Sequence, residues 1–190
     1  MSACPLRATE ALIDDFSDPD GRSRLGTGWR LVTDSVMGGV STARMAFDTR
    51  DGRRVLCIAG EVRLEQSGGF VQVNLDLTRA GTPLDARGFD GVRLIVRGNG
   101  EPYNLHLKTR DCTLPWQAYR ATFVAGEDWQ EVRMPFARFS PSRLSTPLAA
   151  GQLTQLGLVA IGRAFQARLC IAQVGWYREH EDGAAPSSGG

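Results

Sequence analysis

The 190-residue chain predicts an all-β fold in which strands stack as two facing sheets. Three observations carry that expectation. Short segments alternate polar and apolar residues, turn residues recur between them, and helical periodicity is hard to find. About nine or ten strands follow from that spacing, which favours a β-sandwich or jelly roll over an up-and-down barrel. No internal repeat is present, so propellers and solenoids are excluded.

The elements follow in chain order. Trp29, Leu31 and Thr33 alternate ahead of Asp34-Ser35-Val36-Met37-Gly38-Gly39-Val40-Ser41, and alternation resumes from Val40 to Phe47. Two adjacent glycines between apolar runs mark a tight turn, so a hairpin or a wider strand–loop–strand is expected there. Val36 and Met37 stand beside that turn, where polar residues would be usual. Val55 to Ala59 is a short buried run, and Phe70 to Leu77 alternates strictly, with Gln72, Asn74 and Asp76 on a wet face. Val92–Arg97 and Tyr103–Lys108 read as two strands joined by a glycine-rich hairpin through Gly98-Asn99-Gly100.

The second half continues in the same way. Ala118–Val124 and Trp129–Met134 are strands around a Gly126-Glu127-Asp128 turn. Pro135 to Pro141 then leaves the sheet, since proline cannot donate to a ladder, and a long loop fills 142–152. Gln155–Ile161 and Arg168–Tyr177 complete the set. In the last strand, simple alternation puts Leu169, Ile171, Gln173 and Gly175 opposite Cys170, Ala172, Val174 and Trp176. The expected organisation is an N-terminal segment 1–13, one sandwich domain 14–178 and a disordered tail 179–190.

Composition narrows function mainly by exclusion. Apolar residues make up 42% of the chain, enough for a core, and no apolar run reaches the ~20 residues of a membrane-spanning helix. A formal net charge of +1 gives no electrostatic case for nucleic acid. Cys4, Cys57, Cys112 and Cys170 are scattered without metal-ligand spacing, so reduced, mostly buried thiols and a cytoplasmic setting are expected, although spacing alone leaves disulfides open. The first residues carry no secretory or transit-peptide pattern.

No catalytic constellation emerges. His106 and His180 are the only histidines, and no G-x-S-x-G elbow accompanies His106, which reads as a satisfied or solvent-facing strand residue. Asp14-Asp15 and Glu127-Asp128 are sequence neighbours, which in strands face opposite ways and form no acid pair. Gly98-x-Gly100 lacks a third glycine and a following helix. The expectation is a non-enzymatic protein with no cofactor and no metal.

Aromatics offer the one alternative. Trp29, Trp129 and Trp176 read as core, whereas Trp116, after Pro115, reads as exposed. A carbohydrate-binding module would need a wet face with an aromatic platform, for which Arg97, Tyr103, His106 and Trp116 are the candidates.

The signatures together resemble the complex I intermediate-associated protein 30 family. They are Trp29 with Asp34-Ser35-Val36-Met37-Gly38-Gly39-Val40-Ser41, Gly60-Glu61-Val62, Gly68-Gly69-Phe70, Gly91 to Gly100 with Tyr103, and Trp129 to Phe136 with Phe139. Leu156-Gly157-Leu158 and Phe165, Leu169 and Ile171 extend the likeness, which covers roughly residues 14 to 177. The resemblance implies a galactose-binding-domain-like β-sandwich. It also implies a chaperone-like role in assembling respiratory NADH dehydrogenase (complex I) or a related membrane complex. Without the transit peptide of mitochondrial members, the chain looks like a compact bacterial-type relative. Its partner would be a protein client, namely subunits or intermediates of complex I, met by a monomer that neither spans a membrane nor binds nucleic acid.

A docking surface can be placed on these residues. The Val36-Met37-Gly38-Gly39 loop and the Gly68-Gly69-Phe70 loop are expected to lie side by side, with Asp34 and Ser41 bracing them through side-chain-to-backbone hydrogen bonds. Methionine adapts to varied partners and glycine admits close backbone approach, so an apolar client segment would fit there. The opposing expectation buries Met37 and Phe70 as core.

Overall fold

The computed structural model describes residues 6–7 and 11–179, and its regular structure is strand apart from three single turns of 3-10 helix. One sheet holds eight strands: β1 (Leu6–Arg7), β3 (Trp29–Thr33), β6 (Phe70–Asp76), β7 (Leu84–Asp85), β9 (Pro102–Thr109), β10 (Ala118–Val124), β12 (Ser140–Ser142) and β13 (Leu153–Ile161). The other holds six: β2 (Leu12–Asp14), β4 (Thr42–Arg50), β5 (Arg53–Val62), β8 (Gly91–Gly98), β11 (Gln130–Pro135) and β14 (Phe165–Tyr177). The tail expected from residue 179 lies, beyond Glu179, outside the described residues, as do residues 1–5 and 8–10.

The long strands β13 and β14 organise the two sheets. β13 pairs β9 along one edge, and its other edge is shared by β7 at Leu153 and β6 from Gln155 onward. β14 pairs β8 on one side and shares the other between β5 and β2. The core lies between the sheets. Val71, Val73 and Leu75 of β6 and Leu105 and Leu107 of β9 face Leu56 of β5, Val92, Leu94 and Val96 of β8, and Leu169 and Ile171 of β14, all nearly inaccessible. Burying each aliphatic side chain contributes about 1.5–3 kcal/mol. Trp29 joins the core, and its indole N–H donates to the buried Asp14 carboxylate at 2.8 Å, linking β3 of one sheet to β2 of the other.

Four details differ from the sequence reading. First, β8 and β9 do not form a hairpin: they lie in opposite sheets, and the link between them crosses the sandwich. Its glycines pair instead with the β10–β11 crossing, Gly98 N–H to Gly126 O and Gly100 N–H to Ala125 O, both at 2.7 Å. Second, β14 does not alternate simply. A register shift between Ile171 and Gln173 inserts one residue, so Val174 and Trp176 face the same core as Leu169 and Ile171. Third, Ser140–Ser142 rejoins the sheet as an edge strand on β10, a position where Pro141 is tolerated. Fourth, Trp129 is only half-buried. Its N–H donates to Asp51 at 2.9 Å while Arg53 and Arg97 lie over its ring.

The expectation of reduced thiols is also corrected. Cys57 and Cys170 are directly opposed on β5 and β14, with Cα atoms 4.1 Å apart, and they form a disulfide. The 113-residue separation hides that pairing until the strand register is known. Cys112 is free and half-buried. Replacing Cys57 and Cys170 together by alanine should lower unfolding free energy by about 2–4 kcal/mol in a non-reducing denaturant titration, because the cross-link closes a long loop.

Candidate functional site

The Asp34 segment is the wider strand–loop–strand rather than a hairpin, and its Val36–Met37 pair is not core. β3 ends in one sheet, β4 begins in the other, and a 3-10 turn, Asp34–Met37, makes the crossing. Thr33 caps the turn, its hydroxyl accepting from Ser35 N–H at 3.3 Å. Gly38 closes it at φ 83°, a left-handed conformation that glycine adopts without a Cβ clash.

Asp34 is fully buried and anchors this crossing to the neighbouring one between β5 and β6. Its Oδ1 accepts from Ser41 N–H at 3.0 Å. Its Oδ2 accepts from the Ser41 hydroxyl and from Gly69 N–H, each at 2.5 Å, and from Phe70 N–H at 3.3 Å. Burial alone would raise this carboxyl. The Ser41 hydroxyl and the Gly69, Ser41 and Phe70 N–H groups outweigh it and hold the pKa below the ordinary carboxylate value. Ser41 Oγ in turn accepts from Arg63 N–H at 2.9 Å.

The glycines of both motifs make room for this carboxylate. A Cβ on Gly39 would sit 2.4 Å from Asp34 Cγ, and one on Gly68 would sit 2.5 Å from Oδ2. The two loops therefore do lie side by side, with Asp34 and Ser41 bracing them. A third crossing, from β13 to β14, joins the same end through Gly162 N–H and Gly69 O at 3.2 Å.

What this brace presents is apolar. Val36 is 72% exposed and Met37 62%, so Met37 is not core; Phe70 is half-buried. Leu64, which the sequence reading missed, is half-exposed on the second loop, its Cδ2 lying 2.8 Å from where a Gly69 side chain would begin. The signal for it was a lone leucine between Arg63 and Glu65, which pair with each other at 2.8 Å. The tip is thus a small apolar surface held by a polar buried anchor.

The alternative ligand face does not assemble. Arg97 lies on the outer side of the six-stranded sheet, bonded to Asp51 at 2.7 Å. Tyr103 points into the core, its hydroxyl donating to Asn99 Oδ1 at 2.6 Å. Only His106 and Trp116 belong to the outer side of the eight-stranded sheet. His106 is neither satisfied nor solvent-facing, since it is 9% exposed and its Nε2 is buried without a partner. Burial, then the nearby Arg120 and Lys108 charges, depress its pKa to about 3. Among the described residues no cluster of three or more His, Cys, Asp or Glu side chains comes together.

These observations define a jelly-roll sandwich with a braced apolar tip. The sequence profile of Complex I intermediate-associated protein 30 matches residues 15–171, and the chain belongs to that family. No curated protein shows significant sequence similarity to it. Among solved structures, the family 11 carbohydrate-binding module from Clostridium thermocellum in complex with a β-1,3-1,4-mixed-linked tetrasaccharide superposes with a TM-score of 0.69 at 9% identity, covering 88% of this chain and 95% of that one. The family 30 carbohydrate-binding module of a cellulosomal cellulase of the same organism gives 0.55 at 14% identity, covering 73% and 83%. At these identities the likeness establishes the galactose-binding-like fold and nothing about ligands. No helix among the described residues is long and apolar enough to cross a membrane.

Two measurements check this geometry. Asp34→Ala strands the N–H groups of Ser41, Gly69 and Phe70 and should cost about 3 kcal/mol or more in urea unfolding, whereas Met37→Ala, at an exposed site, should stay within about 0.5 kcal/mol of the parent. For His106, the unfolded chain takes up a proton near pH 6.5 while the folded ring stays neutral to about pH 3, so stability is full above pH 6.5 and falls as pH drops below it. The loss should reach about 2 kcal/mol by pH 5, and His106→Gln should remove that slope from pH-dependent unfolding.

Proposed function

We propose that this chain is a non-enzymatic, chaperone-like binding protein that holds an apolar segment of a complex I assembly intermediate at the Val36–Met37 tip. The observation that carries the reading is the exposure of both side chains on a loop whose backbone is fixed by a buried carboxylate. Exposed methionine beside valine is costly in water and adapts to partners of varied shape. A fixed backbone reduces the ordering cost of binding, which leaves more of the contact energy as affinity. Leu64 widens the apolar contact, and the Arg63–Glu65 pair rims it. Membership in a family named for association with complex I intermediates supports the identity of the client.

Asp34, Gly39, Ser41, Gly68 and Gly69 act in this reading as positioning residues, shaping the tip without touching the client. Val36, Met37, Leu64 and Phe70 would be the contact residues. The double variant Val36→Asp/Met37→Asp keeps the brace intact, so its melting temperature should match the parent, while co-purification of complex I subunits from a host expressing tagged protein should fall at least about tenfold, equivalent to 1.4 kcal/mol. Undiminished recovery of those subunits would refute the client surface.

A further inference from the structure

The outer side of the eight-stranded sheet carries a feature that client docking does not use. One row runs straight across five strands: Arg30 on β3, Asn74 on β6, Gly157 on β13, His106 on β9 and Arg120 on β10. Within it, His106 Nε2 and Arg120 Nε are buried polar atoms without a hydrogen-bond partner, and they occupy directly opposed positions. Buried donors and acceptors are normally paired, because an orphan forfeits its full hydration.

Arg120 also borders an open depression of about 430 Å³, together with Trp116 and Arg143. Arg143 is exposed and Trp116 is 60% exposed, so both face solvent at this point. Neither guanidinium pairs with a carboxylate among the described residues, although burial and then the Arg143 charge both work against the charged form of Arg120. His106, directly opposite Arg120 on β9, is neutral and adds no charge of its own. At the far end of the row Arg30, by contrast, is paired with Asp76 at 2.9 Å.

We propose that the depression formed by Trp116, Arg120 and Arg143 binds a ring compound bearing a carboxylate or phosphate group. The anion lies between the two guanidinium groups, whose planar forks match both carboxylate and phosphate oxygens. The ring stacks on the Trp116 indole, which is free to accept a flat apolar face. Binding there adds acceptors beside Arg120, the half-buried member of the lining, which has no carboxylate partner among the described residues. This site is independent of the client tip, which is built by the β3–β4 and β5–β6 crossings.

Isothermal titration of the full chain with five probes tests the assignment: glucuronate and glucose 6-phosphate as sugar-ring anions, phenyl phosphate as an aromatic-ring anion, and inorganic phosphate and neutral glucose as controls. At least one ring anion should bind about tenfold more tightly than inorganic phosphate and than neutral glucose, and which ring wins identifies the source. Arg143→Gln should weaken that probe about tenfold or more, the loss of one charge-assisted contact. Trp116→Ala should weaken it while leaving inorganic phosphate unchanged, and Val36→Asp/Met37→Asp should leave it alone. Arg143 and Trp116 are exposed, so an unchanged melting temperature confirms that both variants fold. No binding by any ring anion, equal binding of inorganic phosphate, or indifference to Arg143→Gln would each overturn the proposal.

Discussion

One buried carboxylate ties together two of the sheet-to-sheet crossings at one end of the sandwich. Removing an ion from water costs several kcal/mol, so Asp34 would be unstable in this place without compensation. Four hydrogen bonds provide it, and hydrogen bonds to a charged group contribute about 1.5–3 kcal/mol each. They come from two chain crossings far apart in sequence, Ser41 on one side and Gly69 and Phe70 on the other. Three other crossings at the same end connect to this pair in a chain of contacts. The β13–β14 link bonds to Gly69 O, its Arg163 pairs with Glu101 of the β8–β9 link, and that link bonds to the β10–β11 crossing. The two loops of the tip are therefore joined through one side chain and the glycines that give it space.

That arrangement explains why Val36 and Met37 can stay exposed. An apolar pair on a loose loop would collapse onto the nearest apolar surface, whereas the capped 3-10 turn and the Asp34 bonds fix the backbone and hold it outward. Fold alone does not assign a role to such a tip. The carbohydrate-binding modules that superpose on the sandwich at 8–9% identity share its fold alone. The tip lies within residues 15–171, which the family profile matches.

Alternation made most of the fold legible. Strands such as β6, β9 and β10 have one apolar and one polar face, and each lies where period-2 patterning puts it. Sheet membership was not legible, because Gly98-Asn99-Gly100 suits a hairpin turn and a sheet-to-sheet crossing equally well. The inserted residue near Ala172 was hidden for a related reason: a bulge preserves composition while reversing every face after it. The disulfide depended on long-range register. At the candidate site, the glycine pairs and Asp34 were readable from residue type, whereas Leu64 came within reach only once the second loop was placed beside the first. The Trp116, Arg120 and Arg143 depression joins three segments with no shared motif, so only the structure brings it out.

The most direct test of the docking tip is site-specific photo-crosslinking in the native host. A photoreactive residue replaces Met37 in one strain and, as a control, Leu114, an apolar residue of the β9–β10 loop that is 43% exposed. The account predicts adducts with complex I subunits or their assembly intermediates from position 37 and none from position 114. Adducts of equal yield from both positions, or no complex I subunit captured from position 37, would contradict it.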